Sequence, residues 1–224
     1  MAREMLDTLR KKVDPAHAAL VVVDMQNDFC ARNGVMDQEG ADLSLVQAMA
    51  PRLSHLLEEA RAVRLPIIFI QSVYDRQPSP YLSDVWMEQQ KRRGRKGYVQ
   101  VPMCGPGSWG GDFYRDIRPA EGDLVVHKHR YSAFIDTDLD LVLRSLGVRT
   151  VLMTGVGTNV CVESTARDAF MNDYYVVFLK DCTATYSTQA HEGTLQNIDR
   201  FFGQVVTSDE VIACWVTKAA AVPR

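Results

Sequence analysis

Three residues of complementary chemistry follow apolar runs in this chain: Asp24 after AALVVV, Lys128 after DLVVH, and Cys161 after the Gly-rich turn that follows RTVLMT. A carboxylate, an ammonium and a thiol are the parts of a nucleophilic acyl-transfer site. The thiol attacks a carbonyl. The carboxylate takes the thiol proton and returns it to a leaving amine, while the ammonium holds the carboxylate ionised and counters developing negative charge. Cys161 opens a helical stretch to Met171, where unpaired backbone N–H groups and the helix dipole are expected to favour its thiolate. Backbone N–H groups of the Val156–Cys161 turn, those of Gly157 and Cys161 in particular, are the natural donors to a tetrahedral oxyanion. Gly155 and Gly157 let that turn bend sharply and approach a substrate.

Each residue taken alone also has a plain structural reading: Asp24 as a turn cap, Lys128 as a solvated strand end, Cys161 as a small core filler. Two rival chemistries use the same stretch. Gly155-x-Gly157 is half of a dinucleotide-binding fingerprint, with Asp181 closing the next apolar run. Val160 stands where the third glycine belongs, however, and the loop follows the fourth strand rather than the first. A Cys–His pair is the other rival, with His127 or His129 as base; both flank Lys128, so strand alternation turns them to the opposite face.

The elements that must position these groups are legible as continuous apolar runs at Ala18–Asp24, Pro66–Gln71, Asp123–His127, Arg149–Thr154, Tyr175–Leu179 and Gln204–Thr207. Such runs suit strands buried on both faces. Helical periods lie between them: Leu45 to Ala60, Leu139 to Leu146, Cys161–Met171 and His191–Phe202. The alternation predicts a doubly wound α/β sheet in one domain spanning 1–224. Ligands collect at the carboxyl ends of such strands, which is where Asp24, Gln71, Ser72, Lys128 and the Cys161 turn fall. The section 72–122 reads as irregular, with Pro78, Pro80, Pro102, Pro106 and a GSWGG run, and is expected to form a lid or a subunit interface. Trp86 and Trp109 fit either role.

Composition narrows the class. A net charge of −3 over 224 residues gives no electrostatic reason to expect nucleic acid or an anionic membrane as partner. The cluster Lys91, Arg92, Arg93, Arg95, Lys96, flanked by Gly94 and Gly97, reads as a solvated loop. The N-terminal stretch lacks the apolar core of a secretory signal, and no apolar run reaches the ~18 residues of a membrane span. Five scattered cysteines with no C-x-x-C pair argue against a disulfide framework or a zinc site and fit a reducing cytoplasm.

LVVVDMQNDF at Leu20–Phe29, HKHRYSAF at His127–Phe134 and TGVGTNVCVESTARDAF at Thr154–Phe170 together resemble the isochorismatase-like cysteine hydrolases, over nearly the whole chain. The resemblance implies a three-layer α/β/α, Rossmann-like fold with a six-stranded parallel sheet, an Asp24–Lys128–Cys161 triad and a cis peptide between Val156 and Gly157. Within that family the chain looks closest to the ureidoacrylate and other carbamoyl-cleaving amidohydrolases, through KHRYSAF, CVESTARDAF, GSW and NIDRFFG. It implies hydrolysis of a ureido or carbamoyl C–N bond through an acyl-enzyme, with ureidoacrylate, an N-carbamoyl acid, biuret or triuret as substrate. Nicotinamidase is the alternative activity, but QSVYDRQPSPY offers no His where those enzymes place a metal site, so no metal and no cofactor are expected. Isochorismatases proper lack the catalytic Cys. Ser72 and Tyr74 stand where the ureidoacrylate enzymes resemble Asn and Trp, and Phe29 where Tyr is common. Phe29, Ser72, Tyr74, Tyr131 and Phe134 flank the three residues on their loops and are the candidate pocket lining. A homo-oligomer, dimer or tetramer, is expected on the same likeness.

Overall fold

In a computed structural model that describes residues 4–75 and 79–219, six strands form one sheet. They are β1 (Ala18–Val23), β2 (Ile67–Ser72), β3 (Leu124–Lys128), β4 (Thr150–Val156), β5 (Tyr175–Ala184) and β6 (Gln204–Val206). Their order is β3-β2-β1-β4-β5-β6 and every pairing is parallel. All residues of β1 and β4 are buried, as the unbroken apolar runs require when helices cover both faces.

Nine α-helices are assigned among the described residues: α1 (Leu9–Lys12), α2 (Asn27–Cys30), α3 (Val35–Gln38), α4 (Ser44–Ala62), α5 (Asp84–Arg92), α6 (Leu139–Ser145), α7 (Glu163–Met171), α8 (Thr188–Phe201) and α9 (Ser208–Ala219). On one face, Leu20 and Val22 pack with Leu53, Leu56 and Leu57 of α4 and Trp215 of α9. On the other, Val21 and Val23 pack with Leu139 of α6, Ala166 of α7 and Ile198 of α8. The apolar spacing of α4 thereby buries Val46, Met49, Leu53, Leu56, Leu57 and Ala60 along one stripe. The result is the expected α/β architecture with helices on both sides of a six-stranded parallel sheet.

Two expectations need correcting. The section 72–122 is not irregular throughout, because it contains α5, whose cap Ser83 accepts a hydrogen bond from Trp86 N at 3.3 Å. β5 runs five residues beyond Leu179, through the polar stretch Lys180–Thr183. A register shift between Met153 and Gly155 lets it pair again, Gly155 with Thr183 and Val156 with Ala184. Pro78 and both chain ends of the 1–224 span lie outside the described residues. Among the described residues no helix is long and apolar enough to cross a membrane.

Candidate active site

The strand order reverses between β1 and β4, so the chain leaves those two strands in opposite directions and opens a crevice at their carboxyl ends. Asp24 follows β1 directly, in the left-handed backbone region with φ 53°. Non-glycine residues hold that conformation where the surroundings impose it. Here Asp24 N donates to Ile70 O at 3.0 Å and its carbonyl accepts from Gln26 N at 2.7 Å. Ser72 and Lys128 end β2 and β3 in direct register. That register strings three side chains across three strands: Lys128 Nζ donates to Ser72 Oγ at 2.9 Å, and Ser72 Oγ donates to Asp24 Oδ1 at 3.0 Å. Lys128 also reaches Asp24 Oδ2 at 2.8 Å and Cys161 Sγ at 3.5 Å, and it donates to Arg130 O at 3.0 Å.

The Lys128 side chain is fully buried and that of Asp24 is 1% exposed. Burial opposes the charge on Lys128, yet the Asp24 carboxylate and the neighbouring Cys161 outweigh it and hold the ammonium pKa well above its ordinary value. Burial also pushes the Cys161 thiol well above the usual range. Lys128 pulls it down, but Asp24, by its charge and by hydrogen bonding, adds to the rise. Burial thus opposes a standing thiolate at Cys161.

Cys161 lies in a π-helical turn, Thr158–Val162, which leads into α7. Gly157 O accepts from Val160 N at 3.0 Å and Val162 N at 3.3 Å, and among the described residues no bond from Cys161 N to it is present. The Val156–Gly157 peptide is cis. Gly155 has φ +106°, and a Cβ there would sit 2.0 Å from Val23 O. That glycine is required by the close approach of β4 to β1, not by a phosphate. Gly157, at φ −86°, has no such need, since a Cβ there would meet only Thr185 Oγ1 at 3.4 Å. Asp181, the acid wanted by a dinucleotide fingerprint, is occupied capping α9: it accepts from Ser208 N at 2.8 Å and Ser208 Oγ at 2.7 Å. The histidines flanking Lys128 are likewise engaged elsewhere. His127 borders a separate depression, and His129 Nδ1 lies 2.6 Å from Val73 O with its ring stacked on Tyr81.

Asp24 and Cys161 meet at a cavity of about 250 Å³ that Phe29 and Tyr131 also line. Three other expected lining residues do not reach it. Ser72 is buried beneath, bridging Asp24 and Lys128. Tyr74 packs behind the wall against Tyr98, ring centroids 4.7 Å apart, and Phe134 packs on Tyr174 at 6.0 Å. Trp86 stands against Tyr131 and Tyr98 without lining the cavity, and Trp109 is exposed beside a different depression.

The isochorismatase domain family matches residues 18–210. Ureidoacrylate amidohydrolase RutB of Serratia proteamaculans is 36% identical over 205 residues, covering 87% of this chain and 81% of that protein. The chain belongs to the isochorismatase family. Among solved structures, an isochorismatase-like hydrolase from Alkaliphilus metalliredigens matches with 33% identity and a TM-score of 0.73, over 89% of this chain and 99% of that one. A cysteine hydrolase from Pseudomonas syringae pv. phaseolicola matches at 26% identity and a TM-score of 0.79, over 97% and 99%.

In this isochorismatase-family chain the cavity has further walls that the sequence did not disclose. Arg93 and Arg95, expected in a solvated loop, line it, as does Glu39. Glu39 accepts from Lys96 N at 2.8 Å and Gly97 N at 2.7 Å and is bonded to Arg95. Thr185 and Tyr186 reach the cavity because β5 is longer than its apolar run. Tyr186 Oη donates to Phe29 O at 3.0 Å. The signal for α5 was present, in the sequence Ser83-Asp84 followed by good helix formers, but the prolines around it concealed it.

Proposed function

We propose that this isochorismatase-family chain is a cysteine-dependent amidohydrolase that cleaves a C–N bond of a small ureido or carbamoyl compound. Ureidoacrylate, an N-carbamoyl acid, biuret or triuret are the candidate substrates. The observation that carries the reading is Lys128, buried within 2.8 Å of Asp24 and 3.5 Å of Cys161 Sγ beside a cavity of about 250 Å³. The likeness to ureidoacrylate amidohydrolases at about a third identity supports the substrate class.

The chemistry follows from the charges. Substrate binding displaces water, and Asp24 takes the thiol proton as Cys161 Sγ attacks the ureido carbonyl. The oxyanion is held by the backbone N–H groups of Gly157 and Cys161, and losing one such donor typically costs ~3 kcal/mol of barrier. The tetrahedral adduct collapses when Asp24 returns the proton to the leaving nitrogen, and the C–N bond breaks. Water, deprotonated by Asp24, then attacks the thioester, restores the thiol and releases the acid or carbamate. Lys128 keeps its proton throughout, so the Asp24 carboxylate remains paired in each resting state. Five free cysteines support a reducing, cytoplasmic setting.

The deciding experiment scores ammonia release from ureidoacrylate, N-carbamoyl acids, biuret, triuret and nicotinamide. Turnover of one of the ureido compounds, abolished in Cys161→Ala and accompanied by a covalent adduct on Cys161 alone, is the expected result. A clear preference for nicotinamide, or turnover retained in Cys161→Ala, would overturn the reading.

A further inference from the structure

The charges around the cavity do not cancel. At the floor, Lys128 and Asp24 form one pair. On the wall, Arg95 and Glu39 form another. The remaining charge is Arg93, the residue that caps α5, whose side chain makes no ion pair or hydrogen bond among the described residues. The chain as a whole carries −3, so this positive excess is local to the cavity. Arg95 is bonded through Nη1 to Glu39 and to Met36 Sδ, and no partner for its Nε or Nη2 is present among the described residues. A fixed guanidinium with donors to spare therefore stands beside a free one. The same cavity is lined by apolar and aromatic Phe29, Met36, Tyr98, Met103 and Tyr131, with Gln90, Asn159, Thr185 and Ser187 as uncharged polar neighbours.

We infer that Arg93 and Arg95 form a carboxylate-recognition wall, which makes the preferred substrate a ureido acid rather than an uncharged urea. The inference rests on the proposed amidohydrolase activity and selects within its substrate class. The carbamoyl end lies at Cys161, a short flat or flexible chain passes between the aromatic walls, and the acid end meets the arginines. Guanidinium groups pair with carboxylates through parallel N–H···O bonds, which a lysine cannot reproduce. Biuret and triuret offer no anion and would leave the Arg93 charge uncompensated.

The test separates binding from turnover. In the Cys161→Ala background, dissociation constants are measured calorimetrically for 3-ureidopropanoate and for propylurea, with and without Arg93→Ala. Arg93 is largely exposed, and circular dichroism checks that the variant folds as its parent does. The expected result is tighter binding of the acid than of the neutral urea, with that preference falling about tenfold or more on loss of Arg93 and only partly in Arg93→Lys. In the active enzyme the same change appears as a raised KM for the acid with kcat little altered. Equal binding of acid and neutral urea, or a preference that survives Arg93→Ala, overturns the inference. Selective acid binding without turnover of any ureido compound leaves the arginine wall standing and refutes the proposed activity instead.

Discussion

At the scale of single residues, the site works by withholding charge rather than displaying it. Burial raises the Cys161 thiol, so in the proposed reaction its proton stays on sulfur until Asp24 removes it. Labelling with iodoacetamide in the absence of substrate should therefore be slow at pH 7 and rise about tenfold per pH unit to pH 9, as the thiolate fraction rises. The Cys161 peptide followed by mass spectrometry gives the rate, and a plateau below pH 8 would show that a thiolate stands ready in the free enzyme. Asp24, Lys128 and Cys161 were legible in the sequence because each follows an apolar run, and strand ends converge in this fold class. Arg93 and Arg95 were not. A run of basic residues between glycines has the composition of a solvated loop, and only the folded position of Glu39, some fifty residues away along the chain, turns Arg95 inward. Ser72 was expected to touch substrate, yet its register opposite Lys128 makes it a bridge between the two charges.

At the scale of elements, the apolar runs located all six strands to within a residue or two, except at the end of β5. There the sequence turns polar at Lys180 while the strand continues, because backbone pairing with Val156 does not depend on side-chain polarity. That extension positions Thr185 and Tyr186, and a reading based on apolar periodicity stops short of both. The shift in register that permits it ends at Gly155, where β4 leaves no room for a Cβ against Val23 of β1. Replacing Gly155 by Ala places a methyl group against Val23 O in a backbone conformation that side chains rarely adopt. A loss of about 3 kcal/mol or more is expected. Urea denaturation monitored by fluorescence measures it; a variant within about 1 kcal/mol of the parent would mean that the two strands can separate there without cost. The π-helical turn was expected as an ordinary helix start. Nothing in TNVCV marks the wider winding, which belongs to the contacts of Gly157 O with Val160 and Val162.

At the scale of the whole molecule, the outermost strand β3 leaves Leu124 and Val125 about two-fifths exposed, at 39% and 41%. An apolar edge strand is a surface that proteins usually cover, and it supports the expectation that the chain assembles with itself. Light scattering on a sizing column should give two or four times the 25.2 kDa chain mass. A single-chain mass at micromolar concentration would refute assembly. The sheet order has a further consequence, in the time domain. β1 pairs with β2 on one side, Leu20 against Ile67, but its other side waits for β4, with Ala18 opposite Thr150 in a chain of 224 residues. During synthesis at roughly 5–20 residues per second, a strand reading AALVVV stands half-paired for several seconds before its second neighbour emerges. Asp24 and Cys161 flank that seam, so the two cannot meet until β4 has joined β1. The return of activity on refolding should then mark the closing of β1 on β4, and the nascent β1 is the segment most in need of protection from its neighbours on the ribosome.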